Sequence, residues 1–264
     1  MRAPAPVRLA VAALLALPAL LLLPAAAMAE KLVISLSTDR VQIASNFTGD
    51  DIAVFGSIDL PAYLTEGIAY DVVVTVQGPR QSFTTRRKER VLGLWVNVDS
   101  REFVEAPAYL AVLSNRPLAD IADGDVQRRE RLGIANVRLL QRIGPDYADT
   151  VADDVFRQAF VRIRGGEGLY IESDADVSFL TGTVFRATVP LPPNVPTGRF
   201  DVDVKVFAAG QLVARDQAAL TISKVGFEHF VAVYAHDHAL IYGLAVALMA
   251  LGTGWLASVI FRRD

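Results

Sequence analysis

Apolar and polar positions along this chain follow three rhythms, and each predicts a different kind of element. The first is a succession of short β-rich runs: residues 32–37 (LVISLS), 41–43 (VQI), 52–58 (IAVFGSI), 70–77 (YDVVVTVQ), 91–98 (VLGLWVNV) and 109–114 (YLAVLS). Gly, Pro, Asn and Asp punctuate them at near-regular spacing, which predicts an antiparallel sandwich. Residues 30–116 are therefore expected to form an immunoglobulin-like β-sandwich domain. The likeness is architectural, because a chain without cysteine lacks the Cys…Trp…Cys signature of true immunoglobulin domains.

The second rhythm is helical and predicts a helical segment over residues 117–167. Residues 118–140 are rich in Ala, Leu, Arg, Asp and Glu without β-branched runs, and 126–132 and 137–140 look helical. Gly144-Pro145-Asp146 breaks the chain. Residues 152–163 (ADDVFRQAFVRI) then place Val155, Phe156, Ala159, Phe160 and Ile163 on one face at 3/4 spacing. Asp153 and Asp154 sit in the first turn, where the helix dipole favours acids, and Gly165-Gly166 is the expected stop. The strand rhythm returns over 168–224. Within it, 200–207 (FDVDVKVF) alternates apolar in and charged out, and Ala209-Gly210-Gln211 predicts a hairpin turn. This stretch either packs on the first as a second β module or completes the first region's sheets across the helical segment. Two packed modules are the expectation.

The third rhythm is unbroken apolarity. Residues 239–260 (ALIYGLAVALMALGTGWLASVI) carry no charge, and 22 residues at about 1.5 Å each reach roughly 33 Å, enough for a bilayer core. A transmembrane helix is predicted over 239–261, with 262–264 as a tail. Arg262 and Arg263 directly behind the span set its direction, tail inside. The first 29 residues read as a signal peptide: Arg2 and Arg8, an apolar stretch over 9–23, and Ala27-Met28-Ala29 as cleavage site. Residues 225–238 form a juxtamembrane linker whose Phe227, Phe230 and Tyr234 suit the headgroup zone. The fold class expected is thus mainly β, two immunoglobulin-like modules with a helical segment between them, plus one C-terminal transmembrane helix.

Composition narrows the chemistry. Without Arg2 and Arg8 the chain holds 24 basic and 29 acidic residues, a formal charge of −5, which argues against nucleic acid as partner. The absence of cysteine removes thiol chemistry and disulfides. The three histidines, His229, His236 and His238, fall in one ten-residue window and invite a metal-site reading. Residues seven apart on a helix lie about 10 Å from each other, too far for one ion, so membrane-interface polarity explains them better and no metal or other cofactor is expected. No G-x-S-x-G is present, and every histidine is beside the span, which disfavours a Ser–His hydrolase. Gly165-Gly166-Glu167-Gly168 follows a helix, the wrong order for a phosphate loop. Asp153 and Asp154 are explained by helix capping, and Asn46-Phe47-Thr48 by an ordinary turn. The basic run Arg86, Arg87, Lys88, Glu89, Arg90 reads as a solvated strand edge, with an anion or partner patch as the functional alternative. Within the span, Gly243, Ala247, Ala250, Gly254 and Ser258 share one face, a seam on which another helix can pack.

Several stretches carry a resemblance: Phe47-Thr48-Gly49 before 52–56 (IAVFG), 86–98 (RRKERVLGLWVNV) and 101–121 (REFVEAPAYLAVLSNRPLADI). With the order of leader, β-rich region and single C-terminal span, they resemble the putative transmembrane protein family of alphaproteobacteria over nearly the whole chain. The resemblance implies a Gram-negative cell, a periplasmic β region, and a TauE/SafE-type anion exporter as candidate partner. The expected function is a non-enzymatic, membrane-anchored periplasmic module accessory to another membrane protein such as an anion transporter. The alternative is a periplasmic small-ligand or metal-binding sensor or chaperone. Expected partners are the lipid bilayer and, through the span, an integral membrane protein or a second copy. The expected site is the inner (cytoplasmic) membrane, single-pass, C-terminus in the cytoplasm.

Overall fold

In the computed structural model, residues 31–44, 46–59, 69–143, 146–226, 231 and 234–261 are described. The expected signal peptide, Phe227, His229, Phe230, Arg262 and Arg263 lie outside the described residues. Period-2 burial builds the first sheet, in the order β1 (Lys31–Leu36), β3 (Asp50–Asp59), β12 (Val184–Leu191), β11 (Val177–Phe179). Strand β3 turns Ile52, Val54, Gly56 and Ile58 inward, and β12 turns Phe185, Ala187, Val189 and Leu191 to the same core. Gly56 lies opposite Phe185. A Cβ there would stand 2.1 Å from the Phe185 ring, so glycine is what lets the aromatic ring lie across the neighbouring strand.

The second sheet runs β10 (Tyr170–Ser173), β7 (Leu110–Ser114), β4 (Tyr70–Gln77), β13 (Gly198–Ala208), β14 (Gln211–Lys224), β2 (Arg40–Ile43). The mainly β fold with one C-terminal apolar helix is as the sequence predicts. The two β stretches, however, share sheets in place of forming two packed modules: β3 pairs with β12, β4 with β13, and β7 with β10. The physical reason is that each stretch alone offers only two-stranded ladders, which cannot cover their own apolar faces. Together they close one continuous core. The Tyr109 hydroxyl ties it across, donating to the Pro190 carbonyl.

The expected helical segment holds α1 (Leu118–Ile121), α2 (Gly124–Glu130) and α3 (Val155–Gly166), but also two strands, β8 (Leu140–Ile143) and β9 (Asp146–Asp149). Residues 137–140 are not helical, because β8 takes the free edge of β6 (Leu94–Pro107) at Phe103 and Val104. With β5 (Arg80–Val91) these make a third sheet, ordered β5–β6–β8–β9. Helix α3 starts where Asp154 accepts from the Arg157 amide. It runs through Gly165 and Gly166, and the chain leaves it at Gly168, whose φ is +70°. Its buried face is Phe156, Arg157 and Phe160, whereas Val155 and Ile163 are exposed. The face is rotated from the expected one because Arg157 is drawn inward to bond backbone carbonyls.

Strands β4 and β5 continue one another, as do β6 and β7. The Gln77–Leu110 pair is followed by a bond from the Gly78 amide to the Tyr109 carbonyl (2.9 Å), one from the Ala108 amide to the Pro79 carbonyl (2.9 Å), and the Arg80–Pro107 pair. The result is a single β-ribbon that leaves the sandwich and ends in the two-residue turn Leu92-Gly93, with φ of 51° and 86°. Helix α3 braces its base: the Phe160 ring lies 5.5 Å from Phe83, 5.1 Å from Phe103 and 5.7 Å from Tyr170. From residue 86 to residue 100 every side chain is exposed. The last element, α4 (Ala239–Ile260), is long and apolar enough to cross a membrane, and none of it is buried against the sandwich.

Candidate functional site

The outer face of the second sheet carries a polar cleft of about 690 Å³. Alternation along β13 points Asp201, Asp203 and Lys205 outward, and β14 places Gln217 opposite Asp203 and Arg215 opposite Lys205. The chain over residues 130–138 crosses above them and forms the other wall. This covering is why Lys205, expected among the solvated positions of an alternating strand, is buried. Its ammonium donates to the Glu130 carbonyl and lies 3.7 Å from the Glu130 and Asp203 carboxylates. Asp203 is the hub, accepting from Arg215 at 2.7 and 3.1 Å and from Gln217 at 3.2 Å. Burial pulls the Lys205 pKa below the usual lysine range, and the Asp203 charge opposes that pull. The hydrogen bond to Asp203 holds Arg215 above its ordinary value.

The cleft floor is thus neutralised internally, and its rim is not. Arg199 pairs with Asp201 at 3.3 Å. Arg80, Arg131 and Arg138 line the cleft with no acidic partner among the described residues. Arg131 ends α2 in the left-handed region at φ 54°, aiming the chain back over the sheet. Three unpaired guanidiniums around one concavity can hold a carboxylate, sulfonate or phosphate by forked hydrogen bonds.

The residues singled out in the sequence are dispersed. His236 and His238 are exposed beside the span, with the His238 ring 4.9 Å from that of Tyr234. Among the described residues no three His, Asp or Glu side chains form a metal-ligand group. Gly243, Ala247, Ala250, Gly254 and Ser258 lie along α4, all exposed, and a Cβ at Gly243 or Gly254 would meet nothing within 4 Å. Arg86, Arg87, Lys88 and Arg90 stand on the free half of the ribbon and do not line the cleft, which strand β5 reaches only at its first residue, Arg80. The cleft itself was not foreseen. Its one sequence signal is the run of charges at Asp201, Asp203 and Lys205 facing Arg215.

A family model described as "Putative transmembrane protein (Alph_Pro_TM)" matches residues 31–263. The chain belongs to that family. The Alph_Pro_TM match takes in sandwich, ribbon, cleft and α4 together. No protein of curated function matches the chain. Among solved structures, the N-terminal domain of the Streptococcus gordonii adhesin Sgo0707 is similar at 6% identity and a TM-score of 0.27, over 73% of this chain. The chain spans 32% of that adhesin structure's length. AggA, the major subunit of aggregative adherence fimbriae type I from Escherichia coli, is similar at 13% identity and a TM-score of 0.24, over 74% of this chain and 94% of its own.

Proposed function

We propose that this Alph_Pro_TM protein is a non-enzymatic, membrane-anchored accessory module that works beside another integral membrane protein, an anion transporter for instance. The observation that carries this reading is the tether: the 22-residue, uncharged helix α4 has no buried residue among the described residues, which suits a surface met by lipid and a neighbouring helix. The cleft supports the non-enzymatic part, since Lys205, Asp203, Glu130 and Arg215 bond one another rather than standing free for proton transfer. In this reading the sandwich lies in the periplasm and the tail behind α4 in the cytoplasm, on the strength of the leader pattern and Arg262 and Arg263.

Affinity purification of the full chain in mild detergent tests it. An integral membrane protein is expected to co-purify, and Gly254→Ile is expected to lower its recovery about tenfold, on the order of the 1–2 kcal/mol that interhelical contacts contribute in membranes. Recovery of an isolated monomer under several detergents overturns the reading.

A second reading, a small-anion sensor or chaperone, is favoured by the three unpaired arginines around the cleft. A thermal-shift screen with sulfate, phosphate, sulfonates and carboxylates is then expected to raise Tm by about 5–10 °C at a hundredfold excess over Kd. Arg131→Gln with Arg138→Gln is expected to abolish that rise. A flat response to every anion, with no metal by elemental analysis, removes this reading.

A further inference from the structure

The ribbon and the membrane tether leave the sandwich at the same end. Strand β13 is antiparallel to both β4 and β14, so β4 and β14 run the same way, and Gln77 and Ala219 both sit opposite Asp201. From that level β14 continues to Lys224 and then to the span, while β4 continues into the ribbon. The ribbon extends roughly 15 residues to Leu92, at most about 50 Å. The tether from Ala219 to Ala239 is roughly 20 residues with a helical turn over 234–237, at most about 60 Å. The two arms therefore start from the same end of the sheet with similar upper limits on their reach.

The end of the ribbon is built unlike an ordinary hairpin turn. Its two-residue loop has positive φ at both positions, which Asn-Gly or Asp-Gly satisfies best, yet Leu92 occupies the first and is 100% exposed. Val91, Leu94 and Trp95 flank it, exposed at 47, 71 and 70%. Scattered apolar side chains on a surface need no explanation, but four in five consecutive positions around a glycine make a patch. Behind that apolar cap stands a basic collar, Arg86, Arg87, Lys88 and Arg90. Only Arg87 has an acidic partner among the described residues, Glu89 at 3.1 Å. Arg90 lies opposite Trp95 on one face, and Val91 lies opposite Leu94 on the other. An apolar cap of Leu and Trp backed by cations, in a chain of net negative charge, matches the order of a bilayer surface: acyl chains, then anionic headgroups.

We infer that the ribbon tip, residues 91–95, inserts into the interface of the bilayer that holds α4, with Arg86, Arg87, Lys88 and Arg90 on anionic phospholipid headgroups. The sandwich is thereby held at two points, span and ribbon, which fixes its orientation over the membrane. The inference rests on the tether and not on the accessory role proposed above.

The test uses the full chain carrying Trp255→Phe, so that Trp95 is the one tryptophan, reconstituted in vesicles of phosphatidylcholine with or without phosphatidylglycerol. With phosphatidylglycerol, Trp95 emission is expected to shift to the blue, to be quenched by lipids brominated near the headgroup, and to be shielded from aqueous acrylamide. Neutralising the collar to Gln is expected to weaken this insertion about fivefold per charge removed. Leu92→Asn creates the favoured Asn-Gly turn, so the fold stays intact or gains stability while the quenching falls severalfold. Emission typical of water and untouched by brominated lipid overturns the inference. Shielding of Trp95 in native membranes but not in lipid-only vesicles also overturns it, and assigns the tip to a protein. Copurification is read separately, so loss of one result leaves the other standing.

Discussion

Expressed alone, residues 31–116 are expected to give no cooperative unfolding transition, and residues 168–224 alone are expected to give none either. The magnitudes decide this. The second stretch contributes Phe185, Val189, Leu191, Phe200, Val202, Val204, Val206, Phe207, Leu220 and Ile222 to the core, each nearly without solvent exposure. At about 1.5–3 kcal/mol for each buried side chain, their gross contribution is roughly 15–30 kcal/mol, more than the 5–15 kcal/mol net stability of a typical domain. Without them β3 keeps only β1 and β4 keeps only β7, two-stranded ladders with one apolar face each in water. Near-ultraviolet circular dichroism and thermal melts of the two fragments and the full chain check the prediction. A sharp melt from residues 31–116 alone sinks it and restores two independent modules.

That shared architecture marks the boundary of what the sequence makes legible. Period-2 alternation reports which face of a strand is buried, and it placed β3, β4, β12 and β13 well. It does not report which strand lies beside which, and β3 and β12 pair across more than a hundred residues. The span was legible because length and uniform apolarity are local properties. Strand β8 was not, because its pairing with Phe103 and Val104 supplies what its own composition lacks.

The candidate sites divide in the same way. Arg86 to Arg90 as a charged strand edge and 91–98 as a strand were both readable, but their union into one ribbon was hidden. Leu92-Gly93 is not a usual signal for a type I′ hairpin turn, and only the φ values of 51° and 86° reveal it. The cleft was hidden for a tertiary reason. Lys205 has the sequence signature of a solvated residue, and becomes buried because the chain over 130–138 crosses above it. Arg157 is the same case in a helix: its periodicity puts Val155 and Ile163 on the buried face, and the unsatisfied carbonyls of a neighbouring loop overrule it.

Arg157→Met is expected to destabilise the protein by about 3–5 kcal/mol, the cost of breaking a buried charged network on one side. The Arg157 side chain is 6% exposed. One guanidinium nitrogen donates to the Thr150 carbonyl and hydroxyl at 3.3 and 3.1 Å, and the other to the Ala135 and Val137 carbonyls at 2.8 and 2.6 Å. Burial lowers its pKa, opposed by the Asp149 carboxylate 3.8 Å away. Methionine fills the volume but leaves three backbone carbonyls without donors, each worth about 1–3 kcal/mol when unsatisfied. Lysine recovers part of the loss, because a single ammonium cannot span two pairs of acceptors as a planar fork does. A fall in Tm of about 6–20 °C follows for a domain of this size. Arg215→Met, at a half-exposed cleft position, is the control and is expected to cost about 1 kcal/mol or less. The two sites differ in consequence as well as in size. Arg157 fastens the loop over 135–137, one wall of the cleft, to α3, which braces the ribbon's base. Protease cleavage within 134–150 should therefore accelerate in Arg157→Met and stay at its wild-type rate in Arg215→Met. Equal Tm losses in the two variants, with no new cleavage, would show that Arg157 contributes no more than the half-exposed Arg215 and is not the joint between cleft and ribbon.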